Sequence, residues 1–190
     1  GATLNITNKI LQLGPDDEVI VQANAFWVTF VNLLERKVNI KVADIESNTL
    51  NIDPNSVEKL ISKKTKALFL VHMGGNVANL DKLREICDDN KIILVEDAAH
   101  ASGSKYNGNN VGYNSQIACF SFSSYKNMVT LGEGGMFVTN SEEYAQLASQ
   151  LRTNFPMGIR NKRNAESMGS YHRPKSVAFM HAGDAWDYDW

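Results

Sequence analysis

Six short apolar runs, separated by amphipathic stretches, constrain this chain more than any other feature. They cover residues 18–21, 40–42, 67–71, 92–95, 117–122 and 135–138. Most are continuous rather than alternating, and they are rich in β-branched residues. Strands buried on both faces of a parallel sheet read this way. The stretches between them carry helix starts. Asp53-Pro54 supplies an N-cap and a first-turn proline ahead of Val57, Leu60 and Ile61. Asn79 precedes a stripe of Leu80, Leu83, Ile86 and Cys87 at helical spacing. Asn140 with Glu143 resembles a capping box for a helix over 141–152. Strand and helix in alternation predict an α/β fold, a mostly parallel sheet with helices on both faces.

Composition narrows the function. With 190 residues the chain is long enough for one domain with a real core. Nineteen basic and 21 acidic residues give a net charge of −2, which excludes a strongly basic nucleic-acid binder. No apolar stretch reaches membrane-spanning length, and no secretory signal is visible. Cys87 and Cys119 read as reduced, buried thiols rather than a disulfide framework. Both ends read as cut, so a fragment of a longer protein is expected. Residues 154–190 hold five basic residues without clear periodicity, which predicts a loop-rich basic excursion.

Ligands of such sheets sit beyond the carboxyl ends of the strands. The candidates are therefore residues 23–27, Asp44, 72–75, 96–100 and 121–126. Asp97 is either a helix cap or a partner for a cationic ligand group. Lys126 lies between a buried run and the cluster Gly132, Gly134 and Gly135, which permits a tight return into a strand over 135–139. A lysine amine in a partly dry site can attack a carbonyl. Ser121, Ser123 and Ser124 place hydroxyls near it, and Gly1-Ala2-Thr3 offers amides at a helix start, where anions bind. His72 reads as structural. No Gly-x-Gly-x-x-Gly follows the first run, which disfavours a plain dinucleotide-binding domain. Lysine for an aldehyde, aspartate for a protonated ring nitrogen, and amides for a phosphate are the parts a pyridoxal phosphate site needs.

The motifs occur in a telling order. Gly14-Pro15-Asp16-Asp17-Glu18-Val19-Ile20-Val21 is followed by Thr49-Leu50-Asn51-Ile52-Asp53-Pro54 and by Val71-His72-Met73-Gly74-Gly75. Then come Val95-Glu96-Asp97-Ala98-Ala99-His100-Ala101-Ser102-Gly103, Phe120-Ser121-Phe122-Ser123-Ser124-Tyr125-Lys126-Asn127 and Gly132-Glu133-Gly134-Gly135. In this order and spacing the chain resembles the DegT/DnrJ/EryC1/StrS sugar aminotransferases, which are fold-type-I pyridoxal-phosphate enzymes.

The resemblance implies a cofactor-binding large domain over 1–153, truncated at its N-terminus. Residues 154–190 then lead toward a C-terminal domain. It implies that Lys126 is the Schiff-base lysine and proton shuttle, Asp97 the partner of the pyridinium nitrogen, and His100 a neighbour of the ring oxygen. Ser121 and the amides of Gly1, Ala2 and Thr3 would hold the phosphate, and Phe26 would stack on the ring. Glu133 would support the lysine loop. Ala25 departs from the threonine common in the family. The implied reaction is amino transfer from a donor such as glutamate or glutamine to a nucleotide-linked keto sugar. The implied setting is a cytoplasmic homodimer, with no metal, nucleic acid or membrane involved. Two alternatives stand beside it: a pyridoxal-phosphate dehydratase or lyase, and a non-catalytic remnant of the fold. Lys126 argues against the dehydratase branch, which carries histidine there.

Overall fold

The computed structural model describes residues 1–152 and the strand at 177–180. Its strands are β1 (Glu18–Gln22), β2 (Asn39–Ala43), β3 (Thr65–Val71), β4 (Ile93–Asp97), β5 (Lys105–Tyr106), β6 (Asn109–Asn110), β7 (Ile117–Ser121), β8 (Gly135–Val138) and β9 (Val177–Met180). Seven of them form one sheet in the order β2-β1-β3-β4-β7-β8-β9. β2, β1, β3, β4 and β7 pair in parallel, and β8 and β9 add antiparallel. β5 and β6 make a separate small hairpin. The helices are α1 (Ala2–Ile10), α2 (Val31–Glu35), α3 (Pro54–Leu60), α4 (Leu80–Asn90) and α5 (Glu142–Leu151).

The pleat sends alternate side chains to opposite faces. Val19, Val21, Phe69, Val95, Ile117 and Cys119 pack with Leu4, Ile6 and Ile10 of α1, Leu33 of α2 and Ala148 of α5. Ile20, Leu68, Leu70 and Leu94 pack on the other face with Val57 of α3 and Leu80, Leu83, Ile86 and Cys87 of α4. Each fully buried Leu or Ile removes enough apolar surface to contribute about 1.5–3 kcal/mol. Both cysteines are free and buried, as the sequence predicts.

Each of the six apolar runs is a strand. The predicted run 92–95 becomes 93–97, because the parallel ladder with β3 continues to a Val71–Asp97 pairing. Asp97 is thus the last residue of β4, at the carboxyl end of the strand as expected. Asp53 and Asn79 cap α3 and α4 by accepting from the amides of Asn55 and Lys82. The expected cap at Asn140 is displaced by one residue. Ser141 Oγ accepts from Tyr144 N at 3.2 Å, while the Asn140 amide donates to the Tyr113 carbonyl. The domain division at 153/154 lies at the limit of the described residues. Within the predicted basic excursion, Val177–Met180 forms β9 and extends the sheet instead of a loop.

Consecutive Glu96 and Asp97 point to opposite faces. Glu96 is wholly buried on the α4 side. It accepts from Ser115 Oγ at 2.6 Å and pairs with Arg84 Nη2 at 3.3 Å. His72 Nδ1 accepts from the Ala78 amide, so its Nε2 carries the proton and donates to Glu96 Oε2 at 3.1 Å. His72 is structural, as predicted. Burial alone would push the Glu96 carboxyl upward; the bonds from His72 and Ser115 and the Arg84 charge outweigh it and hold the carboxyl below its ordinary value. A depressed folded value contributes stability above the ordinary carboxylate range, and that stability is lost as pH falls through the folded value. We expect Glu96→Ala to cost roughly 3 kcal/mol, since it strands a buried donor and a cation. Chemical unfolding checks this figure. The same series run toward acid pH checks the sign, because Glu96→Gln should flatten the acid limb.

Candidate active site

The sheet reverses its winding between β1 and β3, and the crevice outside the carboxyl ends of the strands opens there. Asp97 ends β4 at this edge and is only 6% exposed. Its Oδ2 accepts from Thr29 Oγ1 at 2.7 Å, and its Oδ1 from the Ala99 amide at 3.1 Å. Among the described residues no side-chain cation forms an ion pair with it. A buried carboxylate with two neutral donors and unused lone pairs is a natural partner for a cationic ligand group.

His100 sits three residues further on, in the turn closed by the Ala101 amide on the Ala98 carbonyl, and is half-buried. Its Nδ1 accepts from the Gly74 amide at 3.3 Å. The loop after β3 can approach because Gly75 has no side chain. A Cβ there would lie 2.8 Å from the His100 carbonyl oxygen, and its φ is +84°.

Lys126 lies on the loop joining β7 to β8. That loop is closed by the Phe122 amide donating to the Gly134 carbonyl and the Thr130 amide to the Phe122 carbonyl. Lys126 is half-buried, and its own amide donates to the Ser123 carbonyl. Its charge reaches His100, as does that of Asp97. Burial, then the Lys126 cation, push the His100 imidazole below its ordinary value, and Asp97 partly opposes them.

The start of α1 completes the edge. Gly1, the N-cap of α1, lies near Asp97, Glu133 and Lys126. Thr3 is buried against Gly135, where an added Cβ would meet the Phe120 carbonyl at 2.9 Å and Thr3 Cγ2 at 3.4 Å. Ser121, at the end of β7, pairs directly with Gly135. Gly1, Thr3, Ser121 and Lys126 therefore share one corner with Asp97 and His100. Phe26 is 63% exposed and tilts against Trp27 at 5.6 Å. It enters the turn that carries Thr29 to Asp97.

Other candidates serve structure. Asp44 bonds the following amide and receives Asp53 N on its carbonyl. Ser124 is exposed beside Tyr125. Sequence reasoning missed Thr29, because a threonine in a turn carries no signal of a carboxylate 68 residues away. It also missed Gln22, whose amide group bonds Val71 N, Asn24 and the Leu50 carbonyl across the crevice mouth. A shallow depression of about 380 Å³ near Ile93, Gln116 and Tyr144 lies at the opposite, amino edge of the sheet and is remote from these groups.

The model of the DegT/DnrJ/EryC1/StrS aminotransferase family matches residues 1–173. The chain belongs to that family. A Streptomyces venezuelae relative, described as a dTDP-3-amino-3,4,6-trideoxy-alpha-D-glucose transaminase, is 35% identical over 90% of this chain and 44% of its own length. The S. venezuelae DesV structure superimposes with a TM-score of 0.79 at 33% identity, over 84% of this chain and 43% of that one. Two further structures each give a TM-score of 0.74 at 30% identity. One is Bacillus subtilis NtdA with bound cofactor PMP, matched over 84% of this chain and 36% of that one. The other is the dehydratase ColD with bound GDP-perosamine, matched over 81% and 42%. The chain thus spans less than half the length of these family members. Their likeness extends to the fold read above, an α/β domain with a mostly parallel sheet.

We expect the His100 imidazole to titrate below the ordinary ~6.5 in a proton NMR titration. Lys126→Met should raise that midpoint, and Asp97→Asn should lower it further. An unmoved midpoint in both variants would separate His100 from the other two groups.

Proposed function

We propose that this chain binds pyridoxal 5'-phosphate and takes part in amino transfer to a keto sugar. The observation that carries the reading is the buried Asp97 carboxylate, held by neutral donors and left without an ion-pair partner among the described residues. It fits a protonated ring nitrogen, and Lys126 and His100 stand within electrostatic reach around it. Residues 1–153 act as the cofactor-binding domain in this reading.

When bound, the cofactor supplies an aldehyde for amines and a ring that draws electrons from the donor's α-carbon. Each residue then has a task. Asp97 Oδ1 and Oδ2 hold the proton of the ring nitrogen. Lys126 Nζ anchors the resting site and carries the α-carbon proton. His100 has Nδ1 occupied by the Gly74 amide, so its Nε2 carries the hydrogen and can donate toward the ring oxygen. Ser121 and the amides of Gly1, Ala2 and Thr3 hold the phosphate at the start of α1. Phe26 would cover one ring face, and Trp27 is tilted against it with centroids 5.6 Å apart. Glu133 steadies the lysine loop.

The donor is an amino acid such as glutamate or glutamine, and the acceptor is a nucleotide-linked keto sugar. We place the protein in the cytoplasm as a homodimer. Among the described residues no helix is long and apolar enough to cross a membrane. The ColD likeness supports a second reading as a sugar dehydratase; Lys126 favours transfer, because its amine can anchor the cofactor aldehyde and carry the α-carbon proton, while the transferred nitrogen comes from the donor.

Reduction with borohydride after adding pyridoxal phosphate, followed by peptide mapping, tests the assignment. The label is expected on Lys126, and Lys126→Ala should abolish both it and the visible absorbance band. Label scattered over surface lysines would overturn the reading. Donor nitrogen recovered in the sugar product distinguishes a transaminase from a dehydratase.

A further inference from the structure

Thr29 is buried, 2% exposed, and lies at the end of the single helical turn Trp27–Thr29. Its hydroxyl is one of two donors to Asp97, at 2.7 Å on Oδ2. The second, the Ala99 amide two residues on, donates to the other oxygen, Oδ1, at 3.1 Å. Together they fix the plane of the carboxylate. A hydrogen bond to a charged acceptor is short and strong in a dry site, and this one has the length of that class. Four acceptor positions are available on a carboxylate. Two are taken, so the remaining lone pairs point where the clamp leaves them.

The turn also joins two parts of the site. The Thr29 amide donates to the Phe26 carbonyl at 2.8 Å. The residue that would cover the ring face and the residue that orients the ring-nitrogen partner are therefore ends of one four-residue unit. Val28 within it lies against Gly1, 3.4 Å from where a Cβ would stand. Movement of this turn would shift Phe26 and the Asp97 carboxylate together.

We propose that Thr29 is a positioning residue: its hydroxyl aims the Asp97 carboxylate at the cofactor's ring nitrogen and couples that aim to the Phe26 stack. The inference rests on the cofactor reading above. It predicts that loss of the hydroxyl weakens binding only for ligands that have a ring nitrogen to pair.

The probes are pyridoxal phosphate and its 1-deaza analogue, in which carbon replaces the ring nitrogen, titrated by absorbance into the purified protein. The unsubstituted protein should prefer pyridoxal phosphate. Thr29→Val should lower that preference about tenfold, as expected for one bond to a charged group. Thr29→Ser should keep it. Thr29→Cys, close in shape with a weak donor, should lose most of it and serves if the valine variant fails to fold. Equal weakening of both ligands in the valine or cysteine variant would make Thr29 merely structural and overturn the proposal. An unsubstituted protein that binds both probes equally would instead sink the pairing of Asp97 with the ring nitrogen. One that binds neither would sink the cofactor reading itself.

Discussion

Everything at the working edge of this molecule depends on two adjacent buried carboxylates that the pleat of β4 sends to opposite faces. Burying a charge is expensive unless it is paired. Glu96 meets that cost inside the protein, with Arg84, His72 and Ser115 around it. Asp97 meets it only in part, with one hydroxyl and one amide. The difference is a physical reason to separate structure from function on neighbouring residues. Glu96 is finished without a ligand, whereas Asp97 keeps acceptor positions that the proposed cofactor would fill. The His72 amide also donates to the Asp97 carbonyl, so the loop after β3 and the end of β4 are tied by the backbone as well.

The fold was legible because burial on both faces leaves a strong trace in sequence. Residues 67–71 and 92–95 could hardly be anything but central strands, and the caps at Asp53 and Asn79 are spelled out by side chains that can reach an amide. The cap at Ser141 was less legible. Asn140 and Ser141 are both good caps, and only the third dimension shows Asn140 engaged by Tyr113. The antiparallel return of β8 also follows from a local cause: Gly134 clears Thr130 and Gly135 clears the Phe120 carbonyl, so the chain comes back without a clash.

The site was legible in a different way. Asp97, His100, Ser121 and Lys126 stand just at or beyond strand ends, which the topology of an open α/β sheet marks for ligands. The roles proposed for them rest on resemblance to a family, not on spacing. Thr29 and Gln22 were not legible at all. Thr29 reaches Asp97 and Gln22 reaches Leu50 and Val71 through side-chain hydrogen bonds that span tens of positions, and neither belongs to a periodic pattern. A polar residue in a turn is usually solvated, and nothing in one dimension distinguishes the turn residue that reaches a buried carboxylate.

The edge divides its labour between rigid and adaptable parts. Asp97 is at the end of a central parallel strand, nearly inaccessible, with both oxygens held. Lys126 is on a hairpin loop between antiparallel strands, and among the described residues its Nζ makes no hydrogen bond. Its neighbours Tyr125, Met128, Val129 and Leu131 are exposed. A group that holds a ring nitrogen must not move, because small misplacement is costly. A group that carries a proton between atoms must move, and a half-exposed side chain on a loop can do so without breaking the core. The turn at residues 26–29 mediates between them. It is anchored at Asp97 by Thr29 and open at Phe26, so it can transmit the position of the fixed carboxylate to the exposed face where a substrate would enter.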